Sequence, residues 1–442
     1  MASEVDLIRL RELSVRITKG TTPTKGEGFV ARGVNYIKSE SITSDGSIDA
    51  SKFAFIDEKT HDKLARSQLR AGNVLFSMAG VYLGKTAIVL PEHLPANTNQ
   101  AVGIITLDES KADPHFIHYS LQSPACRAWV MRSAAQSAQP NFNLQEIGDL
   151  KIPAFPLAKQ KEIGRVLRVL DDRIDNLRQT NATLESIAQA LFKSWFIDFD
   201  PVRAKAEGRD PEGMDGETAA LFPDAFEDSA LGAIPKGWVV SEVGSVAQCV
   251  GGGTPSTKEA KFWEPAVHHW TTPKDLSGIT APVLLSTERK LSDAGLAKVS
   301  SGLLPAGTLL MSSRAPIGYL AISAISVAVN QGYIAMLPGG TLPPIYLYFW
   351  CQANMDAIKQ KANGSTFMEI SKTAFRPISL IVPSAEVIDR FTELAGKLFA
   401  RITDGERQAH QLAEIRDTLL PRLISGRLRF LEAEAQLNEA LA

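Results

Sequence analysis

Cysteine is nearly missing from this 442-residue chain. The three present, Cys126, Cys249 and Cys351, are far apart and have no CxxC spacing. That excludes a disulfide scaffold or a cysteine zinc site and points to a reducing compartment. Long apolar runs are missing too. None approaches the roughly 18 residues needed to cross a bilayer, and no charged-then-apolar signal segment opens the chain. No membrane partner and a cytoplasmic location are therefore expected. Catalytic signatures are also lacking. There is no Gly-rich nucleotide fingerprint with an acidic ribose ligand, no Gly-x-Ser-x-Gly elbow, no His-Glu-x-x-His and no Asn-Pro-Pro-Tyr-like tetrapeptide. His268-His269 has no second ligand pair at metal spacing. A chain without catalytic residues, metal or cofactor of its own is expected.

Neither sign of charge dominates, with 47 Lys+Arg against 49 Asp+Glu and a net charge of −2. The distribution is uneven. Residues 198–234 hold 3 cations and 10 anions, whereas 235–385 hold 12 and 8. The acidity is concentrated in one linker and the remainder is neutral to mildly basic. Such a balance suits modest DNA affinity, or affinity shared with a partner, because phosphate neutralisation supplies much of the binding free energy.

What the chain does have is a second copy of itself. The same sequence events recur in the same order about 230 residues apart. Gly20-Thr21-Thr22-Pro23-Thr24-Lys25 matches Gly253-Thr254-Pro255-Ser256-Thr257-Lys258, and Asn99-Gln100 matches Asn330-Gln331. Ala71-Gly72-Asn73-Val74-Leu75 matches Ala306-Gly307-Thr308-Leu309-Leu310. This is too long for a solenoid unit. It is a globular module followed by a helix, written twice. Strands are expected at 73–76, 87–90 and 101–107, and again at 309–311, 321–322 and 333–337. Helices are expected over 114–132 and 345–358. The result is an α+β mixture with many loops.

After Pro156 the texture changes. Ile163, Leu167, Leu170, Ile174, Leu177, Asn181, Leu184, Ala188, Leu191 and Trp195 alternate at spacings of four and three, the seam of a coiled coil. Asn181 is the one polar member, a device for fixing register. A second helix carries Phe391, Leu398, Ile402, Leu412, Leu419 and Leu423 along its seam, with Gly405 expected to bend it, Arg416 to interrupt the seam and Pro421 to kink or end it. The two helices are expected to pair antiparallel, which creates a pseudo-two-fold axis. The linker 198–234, rich in Pro, Gly and acid, reads as an exposed irregular crossing.

Candidate contact residues fall in paired loops. Thr21, Thr22, Thr24 and Lys25, like Thr254, Ser256, Thr257 and Lys258, offer hydroxyls and ammonium groups to phosphate or base edges; a plain surface turn is the competing reading. Ser77 to Lys85 pairs with Ser312, Ser313 and Arg314, and Arg314 has the chemistry to read guanine or phosphate. Asn99, Gln100, Asn330 and Gln331 suit adenine, or close a backbone turn. Lys38 and Lys274 complete the set. Gly80 to Thr86 superficially resembles a phosphate loop, but it has three residues between glycines instead of four and leads into a strand.

Taken in order, these segments resemble the DNA-specificity subunit of a type I restriction–modification enzyme. The resemblance rests on the paired Gly-Thr-Pro-type turns and on Pro156-Leu157-Ala158-Lys159-Gln160-Lys161-Glu162-Ile163 opening a long helix. Leu191-Phe192-Lys193-Ser194-Trp195-Phe196-Ile197-Asp198-Phe199 and Ile234-Pro235-Lys236-Gly237-Trp238 add to it. It implies an α+β fold with two duplicated α/β target-recognition domains separated by a long antiparallel two-helix coiled coil. The domains would be 1–155 and 235–384, the helices 156–200 and 385–430, with an acidic linker 201–234 and a tail 431–442. The implied partners are double-stranded DNA, two methyltransferase subunits docked on the helices and motor-nuclease subunits, with S-adenosylmethionine and ATP held by those partners. Two other classes remain open: a scaffold whose rod only joins proteins, and an NTPase built on Gly80–Thr86.

Overall fold

In the computed structural model, residues 5–24, 28–134, 141–364 and 368–428 are described. The chain forms two compact units, Met1–Ile174 with Gln411–Ala442, and Asp175–His410.

In the first unit, Ser14–Lys19, Val102–Leu107, Val74–Ser77 and Thr86–Ile88 lie side by side in that order as an antiparallel sheet. Val74, Leu75 and Phe76 are fully buried on both faces, which is why their run is continuous and not alternating. A second sheet has the order Phe29–Val30, Ala54–Ile56, Val34–Ile37 and Ala96–Thr98, the last pair parallel. Leu7–Arg9 pairs with Lys151–Pro153 and brings the start of the domain to its end.

The second unit repeats this order. Cys249–Val250, Tyr333–Met336, Leu309–Ser313 and Ile317–Ser323 are neighbours, with Val283–Leu284 added at the edge. Arg289–Leu291, His268–Thr271 and Ala328–Val329 form the second sheet, again with a parallel last pair. Val239–Glu242 pairs with Ser379–Val382 as the closing ribbon. The expected α+β duplication is therefore present at the level of strand order, beyond matched motifs.

Each long helix has 40 residues, Leu157–Phe196 and Ala385–Ile424. They pack antiparallel within each unit. In the first, Asp171 meets Arg416 while Phe155 lies beside Gly426. In the second, Asn181 meets Gly405 while Phe192 and Trp195 meet Phe391. Ile163, Leu167, Leu170, Ile174, Leu177 and Asn181 are buried as the seam requires, as are Ile402, Leu412, Leu419 and Leu423. Leu184, Leu191 and Leu398 are only half-buried. Ala188 and Trp195 are buried as the seam requires, and Phe192 and Phe196 are buried beside them because these two rings also meet Tyr346 and Phe349 of the helix Pro344–Ala353. Packing against a third element widens the buried face beyond the two-helix seam.

Several expectations need correction. The helix over 114–132 is two, Pro114–Gln122 and Pro124–Ala134, because Ser123 before Pro124 leaves the helical region. The helix over 345–358 likewise divides into Pro344–Ala353 and Met355–Gln360. The acidic linker is not uniformly irregular. It contains the helices Asp200–Ala206 and Gly216–Ala220 and the hairpin Phe226–Ser229 with Gly232–Pro235, and it buries Phe199, Val202, Phe222 and Ile234 in the core. Most of its charges face solvent, Lys205 instead donating to the Ala219 and Phe222 carbonyls, while a sparse set of apolar residues anchors it. Pro421 does not end the second helix, which runs three residues further. The second helix ends at Ile424, before the expected 430, and the expected tail 431–442 lies outside the described residues.

Candidate nucleic-acid interface

The duplicated motifs, scattered in sequence, converge in each unit. The cause is the parallel strand pair. Parallel neighbours end at the same edge, so the residue after Val34–Ile37 and the residue after Ala96–Thr98 emerge together. These are Lys38 and Asn99. Thr98 donates its hydroxyl to the Ile37 carbonyl at 2.7 Å and locks that edge. The threonine turn then docks on it. Gly20 N–H donates to Val102 and Thr21 N–H to Thr98, at 3.0 and 2.9 Å. Gly20 is required here, since a Cβ would stand 2.2 Å from the Thr98 and Asn99 carbonyl oxygens. The loop after Val74–Ser77 joins the same place through Met78 N–H to Ala101 O, 2.8 Å.

The second unit builds the same cluster. Asn330 N–H donates to Thr271 O, Gly253 N–H to Val329 O and Ser313 N–H to Gly332 O, at 3.1, 3.1 and 2.8 Å. Here the turn and the Asn-Gln loop also meet by side chains, with Thr254 Oγ1 donating to Gln331 Oε1 at 2.6 Å. Lys274 lies just past the end of His268–Thr271, where it pairs with Glu288 at 2.8 Å.

Side-chain positions divide the candidates. Thr22, Thr24, Gln100, Thr254, Ser256, Thr257, Lys258, Lys274 and Gln331 are exposed, while Thr21, Lys38, Lys85, Asn99, Arg314 and Asn330 are half-buried. Lys25 lies outside the described residues. Ser77, Ser312 and Ser313 are buried, so their hydroxyls face the protein. Ser312 donates to Pro316 O at 2.7 Å and accepts from Tyr319 N–H at 2.8 Å, which shapes the Arg314 loop from within. Asn330 Oδ1 accepts from Gly332 N–H at 2.8 Å, the backbone-turn role. Lys38 lies 3.3 Å from Glu40, and Arg314 3.7 Å from Glu369. The Lys85 ammonium lies over the Tyr82 ring, and the segment continues into the strand Thr86–Ile88 instead of the helix a phosphate loop needs. His268 and His269 are held by Asp293 and Thr287, at 2.6 and 3.0 Å.

Sequence reading missed the aromatic residues that hold the turns. Buried Tyr36 donates its hydroxyl to Thr21 O at 2.9 Å, and buried Trp270 donates its indole N–H to Gly253 O at 3.1 Å. The two occupy equivalent strand positions. Burial pushes the Tyr36 hydroxyl up to about 12, so it remains a donor across the physiological range. Each ring has a perpendicular partner, Phe29 on Tyr36 and Trp263 on Trp270, both at 5.3 Å between centroids. The signal was available as an aromatic seven residues before another in each copy, but nothing in the sequence says that their polar tips reach a turn.

The comparisons with known proteins agree with this architecture. The model of the type I restriction modification DNA specificity domain matches residues 3–186 and again 235–392. The HindI type I restriction enzyme specificity subunit of Haemophilus influenzae is 28% identical over 330 residues, 65% of this chain and 71% of its own length. The putative MjaX type I specificity subunit of Methanocaldococcus jannaschii is 21% identical over 431 residues, covering 95% and 92% of the two chains. Among solved structures, the S subunit of a type I restriction–modification system from M. genitalium shares the fold. It has a TM-score of 0.57 at 14% identity and covers 96% of this chain and 97% of that one. Two family-domain matches, laid on two units of the same strand order, establish that the chain belongs to the type I restriction modification DNA specificity domain family and carries the domain twice.

Proposed function

We propose that this chain is the DNA-reading subunit of a type I restriction–modification complex, each domain reading one half of a split site. The observation that carries the reading is the three-loop cluster built twice on the same strand edge with different side chains. A shared frame with unlike contact groups is what two unlike half-sites require. The frame fixes the backbone by strand-edge hydrogen bonds, so specificity resides in the exposed residues of the loops.

Partners follow from the same reading. Methyltransferase subunits would dock on outward faces of the long helices, because the seam residues are spent on this chain's own packing. Motor-nuclease subunits would join through that complex. The methyl donor S-adenosylmethionine and ATP would be held by the partners, and this chain would position DNA without catalysing a step. A 40-residue helix is about 60 Å long, a span of about 17 base pairs. Helix length would thus set the spacer.

The test is a methylome. The chain is co-expressed with its methyltransferase partner in a methylation-free host, and the DNA is read by single-molecule sequencing. Methylation at one split motif is expected, with a single half changed when 235–384 is exchanged. Unmodified DNA despite a purified complex would instead favour a protein-joining scaffold.

A further inference from the structure

The two domains share their aromatic frame but differ at one position beside it. Trp270 is paired across the sheet with Arg289; its counterpart Tyr36 is paired with Ala54. The second domain therefore carries a guanidinium where the first carries a methyl group. Arg289 is exposed, and its guanidinium carbon lies 3.5 Å from the centroid of Trp263 and 5.5 Å from that of Trp270. Among the described residues no carboxylate pairs with it. By contrast Lys274 and Arg314 are each paired with a glutamate.

The ring beneath Arg289 also holds the recognition turn. Trp263 donates its indole N–H to Ser256 O at 3.0 Å, and Trp270 donates to Gly253 O. One aromatic pair thus holds the threonine turn and lies against the Arg289 guanidinium. Stacking on a ring leaves the in-plane N–H donors free and reduces the side-chain freedom lost on binding.

Resting on the proposed function, we propose that Arg289 reads a guanine in the half-site of the second domain. Two of its N–H groups would donate to O6 and N7 in the major groove, the pairing a planar fork matches best. Trp263 would act as a positioning residue. The first domain, with Ala54 at this place, has no such reader.

The test uses the full chain assembled with its methyltransferase. Methylomes are compared for the wild type, Arg289→Ala, Arg289→Lys and Trp263→Leu. Arg289→Ala is expected to relax one guanine position in one half-site by about ten- to hundredfold, the discrimination of a bidentate pair. The other half and the spacer should be unchanged. Arg289→Lys should relax the same position, because an ammonium keeps the charge and loses the fork. Trp263→Leu should do so more weakly. An unaltered motif in both Arg289 variants would overturn the proposal. So would a uniform drop at every site with no relaxed base, which marks a phosphate contact. Retained reading of the other half controls for folding. Should Arg289→Ala fail to assemble, the lysine variant decides. A wild-type complex that methylates no split motif defeats the proposed function itself, a result distinguishable from either outcome for Arg289.

Discussion

Gly405 faces Asn181 so closely that a Cβ on the glycine would stand 2.5 Å from the Asn181 Oδ1. The glycine leaves room for Asn181, the polar residue in the seam of the first long helix. Asn181 is buried and directs its Nδ2 toward Glu406 at 3.5 Å; Glu406 is buried beside it and accepts from Thr280 at 3.4 Å. Gly405→Ala is expected to lower stability by about 1–2 kcal/mol, since overpacking outweighs the helix propensity gained. In the Asn181→Ala background the same change should cost less. Urea denaturation of the four proteins gives the coupling, and strict additivity would contradict the contact.

Arg416 interrupts the apolar seam in sequence, but in the fold it completes a polar site. Its guanidinium pairs with Asp171 at 2.7 Å, and Asp171 also accepts from the Tyr119 hydroxyl. Arg416→Met should destabilise by about 2 kcal/mol, because it leaves Asp171 half-buried without its cation. Joining it to Asp171→Leu should restore much of the loss, as apolar replacement of a whole pair often does. Thermal melts of single and double variants check this.

His118 sets a pH dependence. It is buried between Thr86 and Gln122, at 3.2 and 3.0 Å, and burial pushes its pKa down to about 3. Gln122 donates to Nε2, so the ring proton belongs on Nδ1 facing the Thr86 hydroxyl. A folded-state value below the unfolded one means that the unfolded chain takes up the proton first. Stability is therefore full above about pH 6.5 and falls as pH drops toward 3, by about 1.4 kcal/mol per unit. The difference between wild type and His118→Gln, followed by urea midpoints from pH 8 to 4, should show that slope. Parallel curves would refute it.

The turn-holding donors should act domain by domain. Tyr36→Phe removes the hydroxyl that donates to Thr21 O, and Trp270→Phe removes the indole N–H that donates to Gly253 O together with part of the buried ring that packs on Trp263. Tyr36→Phe is expected to cost about 1 kcal/mol of stability and Trp270→Phe about 2 kcal/mol, because it also shrinks a buried ring; each should weaken methylation through one half-site alone. Motif-resolved methylation rates distinguish this from a general loss of fold.

Gln160 shows how a motif's role becomes visible only in space. It belongs to the segment that opens the first long helix, and its side chain spans three backbone groups. It donates to Phe155 O and Lys111 O at 2.8 and 3.0 Å and accepts from Asp113 N–H at 3.1 Å. Gln160→Leu orphans all three and should cost about 2–3 kcal/mol, measurable by urea unfolding.

The sequence by itself determined the duplication, the strand segments and the buried stripe of the first long helix. These depend on local periodicity and on repeated turn chemistry, which neighbouring residues express without help. It also marked Asn181 as the polar member of the seam and placed the threonine turns, Asn-Gln pairs and the Arg314 loop as matched candidates. Only the tertiary structure decided that the three loops converge, because a parallel strand pair brings distant ends, Ile37 with Thr98 and Thr271 with Val329, to one edge. It also decided that Ser77, Ser312 and Ser313 point inward, that Gly405 accommodates Asn181, and that Arg416 is matched by Asp171. Such facts depend on partners distant in the chain. A residue's type gives its chemistry, whereas its neighbours across the fold decide whether that chemistry is spent on the protein or left for a ligand.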